Sequence, residues 1–126
     1  EWALKASSAT LLKDQDKAIL KDVVITFFTR EKTEVRLTSR DGVLNTQTHD
    51  MTFSGDVVVT HETYVLRTDQ LHYRKKEHII YTNDHVRLEK ADSVIDADSM
   101  ITRLNENETV LTGHVRGTFS ENFDVN

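Results

Sequence analysis

Apolar and polar residues alternate with a period of two along most of the chain. In EVRLTS, Val35 and Leu37 stand on one side against Glu34, Arg36 and Thr38. In MTFSGDVVV, Met51, Phe53, Val57 and Val59 do the same. Successive side chains of a strand point to opposite faces, so the pattern predicts strands with one buried face. Two strands are expected from about Met51 to Val59 and from Tyr64 to Tyr73, with polar turns at His61-Glu62 and Arg74 to Glu77. Between Ala9 and Leu20 the residues Leu12, Ala18, Ile19 and Leu20 also fit a helical stripe. The intervening KDQDK reads better as a hairpin turn, and strand–turn–strand is the expectation there.

One phrase interrupts the alternation three times. SGDVVV begins at Ser54, NDHVRL at Asn83 and TGHVRG at Thr112, which sets Val57, Val86 and Val115 at intervals of 29 residues. At the same offset Leu37, Leu66 and Ile95 align, as do Ser39, Thr68 and Ala97, then Gly42, Leu71 and Met100, then Val59, Leu88 and Gly117. A recurring period of this length is the mark of a stacked supersecondary unit. KDVVI at Lys21 resembles GDVVV and suggests a further copy with a slightly different period. Glycine within a strand marks a bulge, a corner or a close backbone approach. Asn and Asp also tolerate left-handed backbone, so NDHV is expected to stand in for SGDV. Each copy is therefore read as a corner where a long strand passes from one sheet to a facing one.

Composition narrows the function. With 126 residues the chain fits a single domain, 1–126. Sixteen basic residues against 21 acidic give a net charge of −5. This disfavours a nucleic-acid partner, which needs concentrated Lys and Arg, and the short RKK at Arg74 to Lys76 does not change that. The absence of cysteine excludes disulfides, thiolate catalysis and Cys-ligated zinc. No apolar run is long enough to span a membrane as a helix. The start at EWALKAS leads to the expectation that an N-terminal segment has been removed.

The run LTSRDGVLN…MTFSGDVVV, then LRTDQLHY, then HVRLEKADSVIDADSM, closing on LTGHVRGTF, resembles the periplasmic domain of the LptC family of lipopolysaccharide export. The OstA-like domains of LptA and of the LptD N-terminus share the repeat. The likeness covers Trp2 to Phe119 and rests on order and spacing rather than on one motif. It implies an all-β jellyroll, or β-taco, of consecutive antiparallel strands in two facing sheets with an apolar groove between them. It further implies a non-enzymatic bridge without a cofactor. Such a bridge sits at the periplasmic face of the inner membrane behind a single N-terminal anchor, receives lipopolysaccharide from an ABC transporter and passes it to LptA.

On that resemblance the inward positions become groove candidates: Phe27, Val35, Leu37, Met51, Phe53, Val57, Val59, Leu66, Ile80, Val86, Leu88, Ile95, Leu111 and Val115. Trp2, Leu4, Val23, Ile25 and Phe119 extend the same face. Without the resemblance they would read as the filling of an ordinary β-sandwich. Burying a 12-carbon acyl chain yields about 10 kcal/mol at ~0.8 kcal/mol per methylene. A closed pocket would trap a cargo carrying several such chains, and a partly open groove suits transit. The final strand, TVLTGHVRGTF, holds no proline and only Arg116 as a long charged blocker, so its edge can template another strand. Val110, Leu111, Val115, Arg116 and Phe119 are the candidate edge for an LptA-like partner. Trp2 to Ala9 is the candidate edge for the transporter, and either edge leaves room for self-association. The tail SENFDVN is a competing cover for the last strand.

Two chemical readings are weaker. His85 and His114 occupy equivalent repeat positions beside Asp56, but equivalent positions in a meander lie two strands, roughly 9.5 Å, apart, too far to share zinc. Asp69 and Asp98 suggest paired carboxylates of a polysaccharide-cleaving β-helix. Hydrogen bonding at strand corners accounts for them more simply. An LptA-like soluble periplasmic lipopolysaccharide bridge protein and a structural or adhesive β-repeat module are the remaining alternatives.

Overall fold

The computed structural model describes residues 2–29, 31–106 and 108–119, with Phe119 described in its backbone only. The tail from Ser120 lies outside the described residues. The strands are β1 (Trp2–Lys5), β2 (Ser8–Leu12), β3 (Lys17–Phe28), β4 (Glu34–Asn45), β5 (Met51–His61), β6 (Tyr64–Arg74), β7 (Ile79–Thr82), β8 (Val86–Lys90), β9 (Ser93–Ala97), β10 (Ser99–Arg103), β11 (Glu108–Thr112) and β12 (Arg116–Phe119). Every pairing is antiparallel. The KDQDK segment forms a single 3-10 turn, Lys13–Gln15, between β2 and β3, as a hairpin reading requires.

β3 to β6 are 11 or 12 residues long and belong to both halves of a folded sheet. The first half runs β1, β3, β4, β5, β6, β8, β9, β12, and the second runs β2, β3, β4, β5, β6, β7, β10, β11. The two facing sheets are thus one 12-stranded sheet bent along a spine. Past β6 the chain no longer crosses the spine as unbroken strand. β7 and β8, β9 and β10, and β11 and β12 are separate elements joined by short links.

The spine shifts the phase of the alternation. Buried positions on either side of it are three residues apart in β3 (Leu20, Val23), β4 (Ser39, Gly42), β6 (Thr68, Leu71) and across β9 and β10 (Ala97, Met100). They are four apart in β5 (Phe53, Val57) and across β7 and β8 (Thr82, Val86). The extra residue of β5 is a bulge. Asp41 pairs with Ser54 and Thr38 with Val58, so the three residues Gly55, Asp56 and Val57 stand against two of β4, Ser39 and Arg40. Gly55 and Asp56 are left-handed, at φ 82° and 48°. The last corner repeats this at Gly113 and His114, φ 83° and 45°.

One expectation is corrected here. The NDHV copy does not take left-handed geometry; Asn83 to His85 form a link without positive φ. A hydroxyl holds that corner instead: Thr82 Oγ1 accepts from Asp84 N–H (3.0 Å), and Thr68 Oγ1 donates to His85 O (2.9 Å). KDVVI matches GDVVV in its corner: Asp22 at φ 51°, like Asp56, is left-handed and precedes a buried valine, Val23, but β3 lacks the bulge.

Residues from both halves make one core: Ala18, Leu20, Val23, Ile25, Val35, Leu37, Met51, Phe53, Val57, Val59, Leu66, Leu71, Val86, Ala97 and Met100. Ser39, Thr68 and Thr82 are buried among them, and no buried side-chain polar atom lacks a partner among the described residues. Ser39 Oγ donates to Asp41 O (3.0 Å), so the spine's hydroxyls satisfy the backbone where the ladder is interrupted.

Candidate functional site

Cross-strand register strings the inward side chains into ladders. In the first half Leu4, Ile25, Leu37, Val59, Leu66, Leu88 and Ile95 stand directly opposite one another from β1 to β9 and end on Gly117 of β12. Eight strands at about 4.8 Å spacing make this an apolar track of about 34 Å. In the second half the facing ladder is Leu11, Ala18, Leu44, Met51, Tyr73 and Ile80, continued by Thr102 and Thr109.

Burial is graded from the spine to the mouth, where the hairpin turns lie. Next to the spine Val57 and Leu71 have no exposure at all. Toward the mouth and at the two ends of the ladders, Leu4, Phe27, Leu44, Tyr64, Tyr73, Ile80, Leu88 and Leu111 are half-buried against the core. Burial raises the pKa of the Tyr64 hydroxyl, and burial reinforced by the Asp50 carboxylate raises that of Tyr73. Both lips therefore present neutral, amphipathic rings.

Of the groove candidates, Val35, Leu37, Met51, Phe53, Val57, Val59, Leu66 and Val86 lie in the closed interior. Phe27, Ile80, Leu88, Ile95 and Leu111 are half-buried. Val115 sits in the link between β11 and β12 and is 52% exposed, and Trp2 on β1 is 48% exposed. Leu20, Leu71, Ala97 and Met100 belong to the same interior but escape an alternation read straight through the spine. The aligned columns Ser39, Thr68, Ala97 and Gly42, Leu71, Met100 are buried at all six positions, and that column agreement is the signal that locates them.

Four strands are edges. β1 and β2 each pair with β3 alone, β11 with β10 alone and β12 with β9 alone, among the described residues. Val110 and Leu111 lie on β11, Arg116 and Phe119 on β12, and Val110 is exposed. The N-terminal edge runs from the first half into the second, and the C-terminal edge runs from the second into the first.

Outside, the first half is charged. Arg67 and Arg87 stand opposite each other, and each is offset by a carboxylate: Glu89 at 2.9 Å from Arg67 and Asp96 at 3.1 Å from Arg87. His85 Nε2 shares Asp96 at 3.2 Å. On the spine Asp56 accepts from Arg40 Nη2, and Asp98 faces His114 Nδ1, each at 2.6 Å. His85 and His114 precede β8 and β12, which are separated by β9, so they bind different aspartates. No group of three metal-ligating side chains occurs among the described residues. Asp98 is further occupied by its own N–H, which donates to Thr112 O (3.1 Å) and Gly113 O (2.8 Å).

A family model described as "Lipopolysaccharide-assembly, LptC-related" matches residues 1–120. The chain belongs to that family. As an LptC-family domain it is a periplasmic lipopolysaccharide-transport protein. A search of curated protein sequences returned no match. Among solved structures it is similar to LptH, described as the LptA homologous periplasmic component of the lipopolysaccharide transport device from Pseudomonas aeruginosa. The TM-score is 0.75, with 12% identity over 95% of each chain. At that identity the likeness is one of fold, and the LptC-family domain shares the LptA-like folded sheet.

Proposed function

We propose that this LptC-family domain is a non-enzymatic relay, anchored at the periplasmic face of the inner membrane. In this reading it takes lipopolysaccharide from an ABC transporter at the β1 and β2 edge and hands it to an LptA-like protein at the β11 and β12 edge. The observation that carries the reading is the unbroken apolar ladder from Leu4 to Ile95, which runs from the β1 edge of the domain to within one strand of the β12 edge. Acyl chains enter at the half-buried lips formed by Phe27, Tyr64 and Leu88 on one side and Tyr73 and Ile80 on the other. They travel along the ladder while the sugars stay in water. Closed rows at the spine keep the halves joined, and the lips leave the cargo only partly covered, so it is not trapped.

The edges support the same direction. Because β1–β2 and β11–β12 run oppositely, a partner with a similar folded sheet can add antiparallel strands to both halves at once, continuing the ladder and the spine.

The test is photocrosslinking with lipopolysaccharide in the periplasm. A photoreactive residue at Leu88 or Ile80 captures lipopolysaccharide, and one at Val110 or Val115 captures the LptA-like partner. Capture of that partner only from Ala3 or Ala9 reverses the assignment of the edges. Capture of partners without any lipopolysaccharide makes the domain a structural β-module.

A further inference from the structure

The two lips of the mouth are built differently. In the second half the turns are tied to one another. Thr46 N–H donates to Asp16 O (2.9 Å), Lys75 N–H donates to Asp50 Oδ1 (3.0 Å), and Leu104 N–H donates to His78 O (2.9 Å). These three bonds link all four turns of that half into one rim. In the first half the turns bond within themselves: Lys32 N–H to Thr29 O (2.9 Å) and Thr63 N–H to His61 Nδ1 (3.3 Å). Among the described residues no hydrogen bond joins one of these turns to the next.

Each half ends in a block held to β6 by one ladder, β7–β10–β11 in the second half and β8–β9–β12 in the first, but only the β6–β7 join is closed at the mouth by a turn, 75–78. β8, β9 and β12 form a block that pairs with the rest of the first half through one ladder, Val65–Thr68 of β6 against Val86–Glu89 of β8. Across the spine the block continues only through the links before β8, after β9 and before β12. On the inner ladder Leu37, Val59 and Leu66 are buried, whereas Leu88 and Ile95 in the block are half-buried.

We propose that the β8–β9–β12 block is a lid. It turns about the spine links at 83–85, 98 and 113–115 and uncovers the Leu66–Leu88 step of the ladder to an acyl chain, while the tied rim of the second half stays fixed. The β6–β8 ladder absorbs the motion as a change of twist, for which sheets have a range of about 10 to 35° between neighbours. The inference rests on the lipopolysaccharide reading above and adds which part of the domain moves.

Spin-label distances on double-cysteine variants test it, and the absence of native cysteine makes the labelling selective. Lys90→Cys with Lys76→Cys spans the mouth from lid tip to fixed rim. Gln47→Cys with Lys76→Cys lies within the fixed rim, and Glu62→Cys with Lys76→Cys spans the mouth outside the lid. On adding purified lipopolysaccharide the 90–76 distance lengthens by about 4 Å, the travel of a lid about 17 Å long turning by about 15°. The 47–76 and 62–76 distances hold. Lipopolysaccharide capture at a photoreactive Ile80 is measured on the same samples. Capture with an unchanged 90–76 distance, or with equal changes in all three pairs, overturns the lid. Failure of capture overturns the transport reading, and the lid with it.

Discussion

His114 Nδ1 lies 2.6 Å from Asp98 Oδ2 and ties the corner between β11 and β12 to the link between β9 and β10. The hydrogen bond to Asp98, and then its charge, raise the His114 pKa. A raised folded-state pKa stabilises the fold fully below the unfolded value of about 6.5 and loses that effect as pH rises through the folded value. His72 behaves oppositely. Burial first and the Arg74 charge second lower its pKa. Its contribution is present above the unfolded value and lost as pH falls through the folded one. NMR titration should place the His114 midpoint above that of a free histidine and the His72 midpoint below it. Asp98→Asn should bring His114 back toward the ordinary value and leave His72 unchanged.

The left-handed glycines separate strain from contact. Gly55→Ala brings its new Cβ to 3.0 Å from Arg40 Cβ, a tight contact relieved by a shift of a few tenths of an ångström, and should lose about 1–2 kcal/mol for left-handed backbone. Gly113→Ala puts a Cβ 2.7 Å from Asp98 Oδ2 and 2.9 Å from Asp98 Cβ, so it should lose more and also abolish the elevated His114 titration. Urea unfolding of the two variants checks the order.

Interior and lip should part company under mutation. Leu71 is wholly buried beside the spine, and Leu71→Ala should destabilise by about 2–5 kcal/mol. Leu88→Asp, on the half-buried lip, should retain the β-sheet circular dichroism signal and lose lipopolysaccharide capture. If Leu88→Asp binds as the native chain does, the ladder is not the lipid path.

At the C-terminal edge, Val110→Lys places a long charge on an exposed strand position. Thermal stability should change little, and capture of the LptA-like partner should fall, with lipopolysaccharide capture from Ile80 retained. Equal loss of both captures would show that the effect lies in folding rather than in the edge.

The strands, the hairpin at Lys13–Gln15 and the apolar side of β4 and β5 were legible because alternation survives intact between corners. What alternation conceals is the phase change at the spine. Val23 and Ile25 are inward on odd numbers, Ala18 and Leu20 on even ones, and a single left-handed Asp22 separates the two series. Leu71 and Met100 are hidden in the same way, by Asp69-Gln70 and by Asp98-Ser99. β5 keeps its parity only because Gly55 and Asp56 add a residue, and for that reason it is the strand whose inner face reads correctly throughout. The openness of the mouth is not written in any residue type. Phe27 and Phe53 are the same side chain, and their different burial comes from position in the sheet, Phe53 beside the spine and Phe27 toward the mouth next to the β1 edge.

The crossings of three and four residues have an evolutionary consequence. A single residue gained or lost at a corner would turn inside out the side chains from there to the next turn, sending Leu66 or Val59 to water and Arg67 or Val58 to the interior. The turns at the mouth carry no such constraint, since a longer turn leaves both of its strands in phase. Length variation among domains of this architecture should therefore collect at the mouth, where it reshapes the entrance, while the spine keeps its count.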